Sequence, residues 1–375
     1  MKIVFTGGVT GGHFYPIVAV IQKCIEFIDK EKIVDAKMYF FAPSPYNKRV
    51  LFENGVRYQH IMAGKMKVSP VIRIPMELLK IAVGFAEALF KLWAIYPDVV
   101  FGKGGYGSFP TLLAAKFLRI PVIIHESDSI PGKTNLWAGK FADRVAVSYP
   151  EAAEYFDKKK TAYTGQPVRK EILVPTTHGA FEYLHLDPNL PVILILGGSQ
   201  GARRINETIL DVLPELLNRY QIIHQVGKAN LREIEGTSSV ILENNPNKNR
   251  YKIFDYLNDL AMRMSAGAST LVISRGGSTI FEIAAWGLPS IIIPLSEEIS
   301  HDQTKNAFNF ARSGGTVVIE ERNLSPHLLI SEIDKIMKDE GTREKMKKAT
   351  FSFHKPDAAE KIAQEILSIT LAHEE

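Results

Sequence analysis

A single cysteine, Cys24, serves the whole chain of 375 residues. Disulfide scaffolding and cysteine-rich zinc sites are thereby excluded, and a reducing compartment fits. The ten histidines form no H-E-x-x-H arrangement, and no two aspartates are separated by one residue. The helical zinc motif and the Asp-x-Asp pair that often holds a metal on a diphosphate are both missing. A diphosphate leaving group would therefore depend on backbone dipoles and cations. Neither charge sign dominates: 45 Lys and Arg against 41 Asp and Glu leave a net +4. That balance gives no argument for nucleic acid, but it is compatible with anionic lipid or diphosphate partners. No apolar run is long enough to span a bilayer; the nearest, Pro75–Tyr96, is interrupted by Glu77, Lys80, Glu87 and Lys91. The opening MKIVFTGG reads as strand and turn rather than as a signal peptide.

What is present begins with the stretch Thr270–Pro294, TLVISRGGSTIFEIAAWGLPSIIIP. Thr270–Ser274 reads as a buried parallel strand and Arg275-Gly276-Gly277-Ser278 as a tight turn. A helix opens near Thr279, with Ile280, Ile283 and Ala284 on one face. Gly287 and Pro289 end it, and Ser290–Ile293 is the next strand. A glycine turn at the carboxyl end of a strand is where open parallel sheets bind ligands, and a helix N-terminus suits an anionic or polar one. Glu282 falls on the same side of the first helical turn as Ser278 and can accept hydrogen bonds from vicinal hydroxyls such as those of a ribose. The alternative is that the glycines only allow close helix–strand packing.

The chain starts with a strand at Lys2–Thr6, a loop Gly7–His13, and a helix to about Asp29. Strands recur at Met38–Phe41, Val99–Phe101, Val122–His125 and Val145–Val147. After Asp187-Pro188-Asn189 the pattern restarts with strand Val192–Leu196, loop Gly197–Gly201 and a helix to about Asn218. Two doubly wound α/β domains of similar build follow from this, hinged near Gly165–Thr177. Asn244–Arg250 reads as a polar surface turn, and the tail from Pro356 as an amphipathic helix. Two nucleotide motifs almost occur. Gly102–Gly107 satisfies G-x-G-x-x-G, but in mid-domain, and Ser127–Thr134 imitates a P-loop with Ser for its first Gly. His13 sits at a helix start, where a neutral imidazole could accept a proton or merely cap and pack. Arg169 at the hinge could reach a phosphate or be a surface arginine. Pro75–Tyr96, preceded by Lys65, Lys67 and Arg73, is either a membrane-surface helix or a buried domain helix.

In order along the chain, GGVTGGHFYP, GKGGYGSFP, IPVIIHE, PGKTN, GQPVR, GGSQGARRIN, the Arg275–Pro294 unit, HDQTKNA and PDAAEKIA resemble the MurG family. These enzymes move N-acetylglucosamine from UDP-N-acetylglucosamine onto undecaprenyl-diphospho-muramoyl-pentapeptide (lipid I), making lipid II for peptidoglycan, and so serve cell-wall growth, shape and division. The resemblance implies the GT-B fold, two Rossmann-like doubly wound domains facing across a cleft. Residues 1–166 would form the acceptor and membrane side, joined by helix 356–375, and residues 167–355 the donor domain. It implies an inverting hexosyltransferase without cofactor or tightly held metal, peripheral at the cytoplasmic face of the inner membrane. His13 becomes the general base for the acceptor C4 hydroxyl. Thr10, Gly11, Gly12, Asn135, Arg169, Ser199, Leu257, Ser278, Thr279, Glu282 and Gln303 match donor-site positions, with Leu257 beside the uracil, Glu282 on the ribose and Gln303 toward the sugar. Gly104, Gly105, Tyr106 and Glu126 match the acceptor side. There are departures: Ser127 and Asp128 in HESDS replace an amide pair, Phe109 stands where a small Gly is usual, and Arg275 to Glu282 is one residue short, leaving Ser278 and Thr279 both eligible for one role. The acceptor-side changes leave the identity of the acceptor more open than the donor; the alternatives are a related glycolipid glycosyltransferase with a diacylglycerol acceptor, a UDP-sugar epimerase of similar two-domain build, or a non-catalytic UDP-sugar-binding membrane protein.

Overall fold

Segments such as Ile3-Val4-Phe5 and Val99-Val100-Phe101 are apolar on both faces, as a parallel strand between two helical layers must be. The computed structural model describes residues 1–65, 74–197, 202–295 and 303–372. It divides into two units, Met1–Arg169 with Lys355–Glu375, and Lys170–His354.

In the first unit the strands are β1 (Lys2–Thr6), β2 (Lys37–Ala42), β3 (Arg57–His60), β4 (Val99–Gly102), β5 (Val122–Glu126), β6 (Arg144–Val147) and β7 (Thr161–Tyr163). They form one sheet in the order β3-β2-β1-β4-β5-β6-β7, every pair parallel. In the second, β8 (Val192–Leu196), β9 (Gln221–Gln225), β10 (Tyr251–Phe254), β11 (Leu271–Ser274), β12 (Ser290–Ile292) and β13 (Thr316–Val318) run β10-β9-β8-β11-β12-β13, again all parallel. Strand order reverses once in each sheet, between β1 and β4 and between β8 and β11. The carboxyl ends of those pairs are the topological switch points where such folds bind ligands. Both units are thus Rossmann-like, the two domains of a GT-B chain.

Five strands escape the sequence reading. β3, β7, β10 and β13 are sheet edges, short and half polar, and β9 carries Gln221, His224 and Gln225 buried inside it. The first helix also begins earlier than expected. It spans Gly11–Lys30, so Gly11, Gly12 and His13 form its first turn rather than a loop. Pro16 lies within it and has no N–H for the Gly12 carbonyl four residues back.

The final helix, Ala358–Ala372, belongs to the first unit. Its Ile362, Ala363, Ile366 and Leu367 share one core with Ile17, Val20, Ile21 and Cys24. Each buried Ile or Leu there contributes roughly 1.5–3 kcal/mol. Arg144 Nε to Glu365 Oε1, 2.6 Å, ties its outer face to β6. The helix Ile74–Ile95 packs on Phe109–Leu118 but buries only Gly84, Ala88 and Leu92. A buried domain helix is therefore not what this segment is. Most of its apolar surface faces outward because the contact uses only the narrow stripe Gly84, Ala88 and Leu92.

Candidate active site

At the β1/β4 switch point the first helix presents His13. Thr10 is its N-cap, and the hydroxyl, which makes no capping bond, meets His13 Nδ1 at 3.0 Å. When Nδ1–H donates to Thr10, Nε2 is left as an acceptor. Nε2 faces the second glycine loop, lying 3.3 Å from where a Cβ on Gly105 would stand. Gly105 has φ +78°, and the same Cβ would be 3.1 Å from the Gly8 Cα, so backbone conformation and space both require glycine. Burial, then the Lys103 charge, lower the His13 pKa to about 4. The lowered pKa favours the neutral ring at neutral pH.

Beneath these loops lies a buried polar cluster. Glu126 ends β5, and its carboxylate accepts from Asp128 N at 2.9 Å, Gly132 N at 3.0 Å and Asn135 Nδ2 at 2.9 Å. Gly132 N, which the P-loop imitation would aim at a phosphate, serves the protein's own carboxylate. Burial, then Asp128, raise the Glu126 pKa to about 7 against those hydrogen bonds. Asn135 is buried under the Gly104 loop, where a Cβ on Gly104 would stand 2.7 Å from its Nδ2, and it also donates to the His125 carbonyl. Asn135 and Glu126, expected on the donor and acceptor sides, are thus hydrogen-bonded to each other. Lys103 follows β4 and donates to Ser127 Oγ and, at 3.4 Å, to Gln166 Oε1. Arg169 is buried, its Cζ 3.6 Å from the centre of the Tyr15 ring in the first helix, and is not a surface arginine. Lys65 lies over the Tyr106 ring at 5.1 Å.

In the second unit the turn after β11 is fixed from both sides. Arg275 pairs with Glu321 at 2.6 Å and donates to the Ile293 carbonyl at 3.2 Å. Asn306 Nδ2 donates to the Gly276 carbonyl at 3.3 Å. Ser278 is the N-cap of helix Thr279–Trp286, without a side-chain cap bond, and Thr279 is its first residue. Glu282 is partly exposed in the first turn. Gln303 opens the helix Gln303–Ala311, its Oε1 accepting from Leu295 N at 3.1 Å. Its Nε2 is 3.9 Å from a Cβ position on Gly277. The structure therefore gathers Ser278, Thr279, Glu282 and Gln303 around one turn. Leu257 has a fully buried side chain and gives its N–H to Gln225 Oε1 at 3.1 Å. Ser199, with residues 198–201, lies outside the described residues, as do Lys67 and Arg73.

Sequence reasoning did not single out Lys103 or the Arg275–Glu321 pair. The signal for the first was available: a lysine between glycines directly after an all-apolar strand points inward from the switch point.

The chain matches the glycosyltransferase family 28 N-terminal domain over residues 3–147 and the C-terminal domain over residues 192–362. It is 35% identical over 367 residues to a Bacillus cereus UDP-N-acetylglucosamine–N-acetylmuramyl-(pentapeptide) pyrophosphoryl-undecaprenol N-acetylglucosamine transferase, covering 97% of this chain and 99% of the relative. The chain belongs to the MurG family. A MurG-family relative from Shouchella clausii with the same enzyme name is 37% identical over 89% of this chain and 90% of its own. Among solved structures, Acinetobacter baumannii MurG superposes with TM-score 0.72 at 22% identity, covering 98% and 99% of the two chains. A UDP-N-acetylglucosamine 2-epimerase from Neisseria meningitidis, bound to UDP-N-acetylglucosamine, gives 0.68 at 16% identity, covering 98% and 100%. The epimerase shares the fold alone; the MurG family is set by sequence. The protein is a glycosyltransferase.

Proposed function

We propose that the protein transfers N-acetylglucosamine, with inversion, from UDP-N-acetylglucosamine to the muramoyl C4 hydroxyl of undecaprenyl-diphosphate-linked lipid I, yielding lipid II for peptidoglycan. The observation that carries this reading is 35% identity, over nearly the full length, to enzymes named for that transfer. The local geometry supports it. In this reading His13 Nε2 takes the C4 hydroxyl proton as the oxygen bonds to the anomeric carbon and the bond to UDP breaks. A ring with so low a pKa accepts that proton only as the new bond forms, which couples the two events. The start of the first helix, with Thr10, Gly11 and Gly12, meets the donor diphosphate beside the acceptor, the second glycine loop with Gly104, Gly105 and Tyr106 holds the acceptor side, and Arg169 offers a cation for phosphate. In the second unit, Glu282 accepts from the ribose hydroxyls, Ser278 or Thr279 with the helix N-terminus meets the diphosphate, and Gln303 meets the sugar.

The acceptor is a membrane lipid, and we infer peripheral binding at the cytoplasmic face. Met76, Leu79, Val83, Phe90 and Trp93 recur three, four, seven and three residues apart on helix Ile74–Ile95 and are 37–68% exposed. An apolar stripe of that length on a surface helix suits a bilayer interface, with Trp93 at headgroup depth. Among the described residues no helix is long and apolar enough to cross a membrane. Lys65, whose backbone N–H donates to Glu77 Oε2 at 2.7 Å and whose ammonium lies over Tyr106, connects this helix to the second glycine loop.

Incubation with UDP-N-acetylglucosamine and lipid I, a diacylglycerol acceptor, or no acceptor tests the reading. Transfer to lipid I supports it. Transfer only to diacylglycerol, sugar isomerisation without acceptor, or binding without turnover would each replace it.

A further inference from the structure

Lys103 is the only lysine among the described residues that is fully buried, at 2% exposure, and the transfer chemistry above does not use it. A buried ammonium is retained only where hydrogen bonds and opposite charge compensate its lost hydration. Here Nζ donates to Ser127 Oγ and Gln166 Oε1, and the latter also accepts from Ser148 Oγ at 2.8 Å. Negative charge comes from Glu126 and Asp128, which flank Ser127. The side chain thus connects the end of β4 to the turn after β5, while Glu126 binds that turn through Asp128 N, Gly132 N and Asn135 Nδ2. On its other side Lys103 borders the His13 turn: a Cβ on Gly7 would lie 3.4 Å from the Lys103 Cβ and 3.9 Å from that of His13.

We propose that Lys103 is a positioning residue of the acceptor half of the site: its buried ammonium clamps the Glu126–Ser127–Asp128 turn beneath the second glycine loop and keeps a positive charge near the His13 turn. The proposal deepens the transferase reading and rests on His13 as base. Charged and titratable groups around the ammonium are Glu126 and Asp128 of the turn, His125 of β5, and His13 of the first helix. Loss of the cation has two consequences. Glu126, already pushed up to about 7, protonates more readily, so its carboxyl accepts less well from Asp128 N, Gly132 N and Asn135 Nδ2 and the turn loosens. His13, no longer facing a like charge, protonates at higher pH, so the free base is lost sooner on acidification.

The test uses full-length Lys103→Met, Lys103→Arg and Ser127→Ala with UDP-N-acetylglucosamine and a soluble lipid I analogue, and follows His13 protonation by NMR. Lys103→Met should lose on the order of 10²-fold in kcat/KM for acceptor, the scale of a misplaced substrate. UDP affinity should change much less, because Ser278, Thr279, Glu282 and Gln303 belong to the second unit. His13 should titrate at higher pH than in the wild type. Lys103→Arg, keeping the charge, should hold the His13 titration at its wild-type position. Ser127→Ala, keeping the charge but cutting one arm of the clamp, should lower acceptor kcat/KM without moving the titration. An unmoved His13 titration in Lys103→Met, or an unchanged acceptor kcat/KM in Ser127→Ala, overturns the proposal. Should Lys103→Met fail to fold, Ser127→Ala still decides the clamp. Absence of transfer by the wild type would instead refute the transferase reading, and the NMR titration would still report on the Lys103 charge near His13.

Discussion

A Cβ placed on Gly276 would stand 2.5 Å from the carbonyl oxygen of Gln303. The obstacle is backbone, so neither side can turn a rotamer to relieve it. Gly276→Ala must displace the start of helix Gln303–Ala311 and with it the Gln303 side chain. The expected outcome is a loss of ~10²-fold in kcat/KM for donor, since small misplacements of positioning groups cost that much. Gly277→Ala, whose Cβ meets nothing nearer than Gln303 Nε2 at 3.9 Å, should be much milder. Equal losses in the two variants would show that the close approach is irrelevant.

Glu282→Ala should raise the donor KM and leave the fold intact. Glu282 is partly exposed, and the bonds it loses go to hydroxyls remote from the reacting carbon. Hydrogen bonds to a charged group are worth roughly 1.5–3 kcal/mol. Calorimetric UDP-N-acetylglucosamine binding unchanged in a folded variant would remove Glu282 from the donor site.

His13→Gln should lower kcat by ~10²–10⁴-fold with little change in UDP affinity. In the wild type, the acidic limb assigned to the ring should lie near pH 4 rather than 6.5, because burial and Lys103 depress its pKa. A limb near 6.5 that persists in His13→Gln would assign the proton to another group. A collapse of UDP affinity would make His13 a diphosphate contact instead.

His224, buried in β9 between Tyr251 Oη at 2.8 Å and Asn206 Oδ1 at 3.0 Å, should make the second unit acid-sensitive. Burial lowers its pKa from 6.5 to about 3. Below pH 6.5 the unfolded chain binds a proton that the folded one refuses, so stability is full above 6.5 and falls as the pH drops toward 3. The slope for one proton is about 1.4 kcal/mol per pH unit. Urea unfolding read by Trp286 in a Trp93→Phe, Trp137→Phe background measures it. His224→Gln should flatten that window while costing stability at pH 7. An identical slope in the variant would rule His224 out as the cause.

Phe90→Ala with Trp93→Ala should weaken binding to anionic vesicles about 10²-fold or more, as each buried aromatic is worth on the order of 1.5–3 kcal/mol. Reversing the charges of Lys65, Lys67 and Arg73 should weaken it further and make it less salt-dependent. UDP binding should be indifferent to both changes. Vesicle binding that ignores these aromatics would leave the exposed stripe to another partner.

The sequence by itself determined the strand–turn–helix units at both switch points, because doubly apolar strands and glycine turns are local signals. It also determined the family, because nine motifs in fixed order are specific. It placed Ser278, Thr279 and Glu282 on one helical turn by spacing alone. Only the tertiary structure brought Lys103 to Ser127, Asn135 to Glu126, Arg169 to Tyr15 and Arg275 to Glu321. Those meetings depend on strand order, which sets β4 beside β1 and β5 and is written in no short segment. The helix Ile74–Ile95 shows the same division. Its apolar character is plain from composition, but whether that surface is covered depends on its neighbour, the helix Phe109–Leu118, which is too short to cover more than one face of its 22 residues.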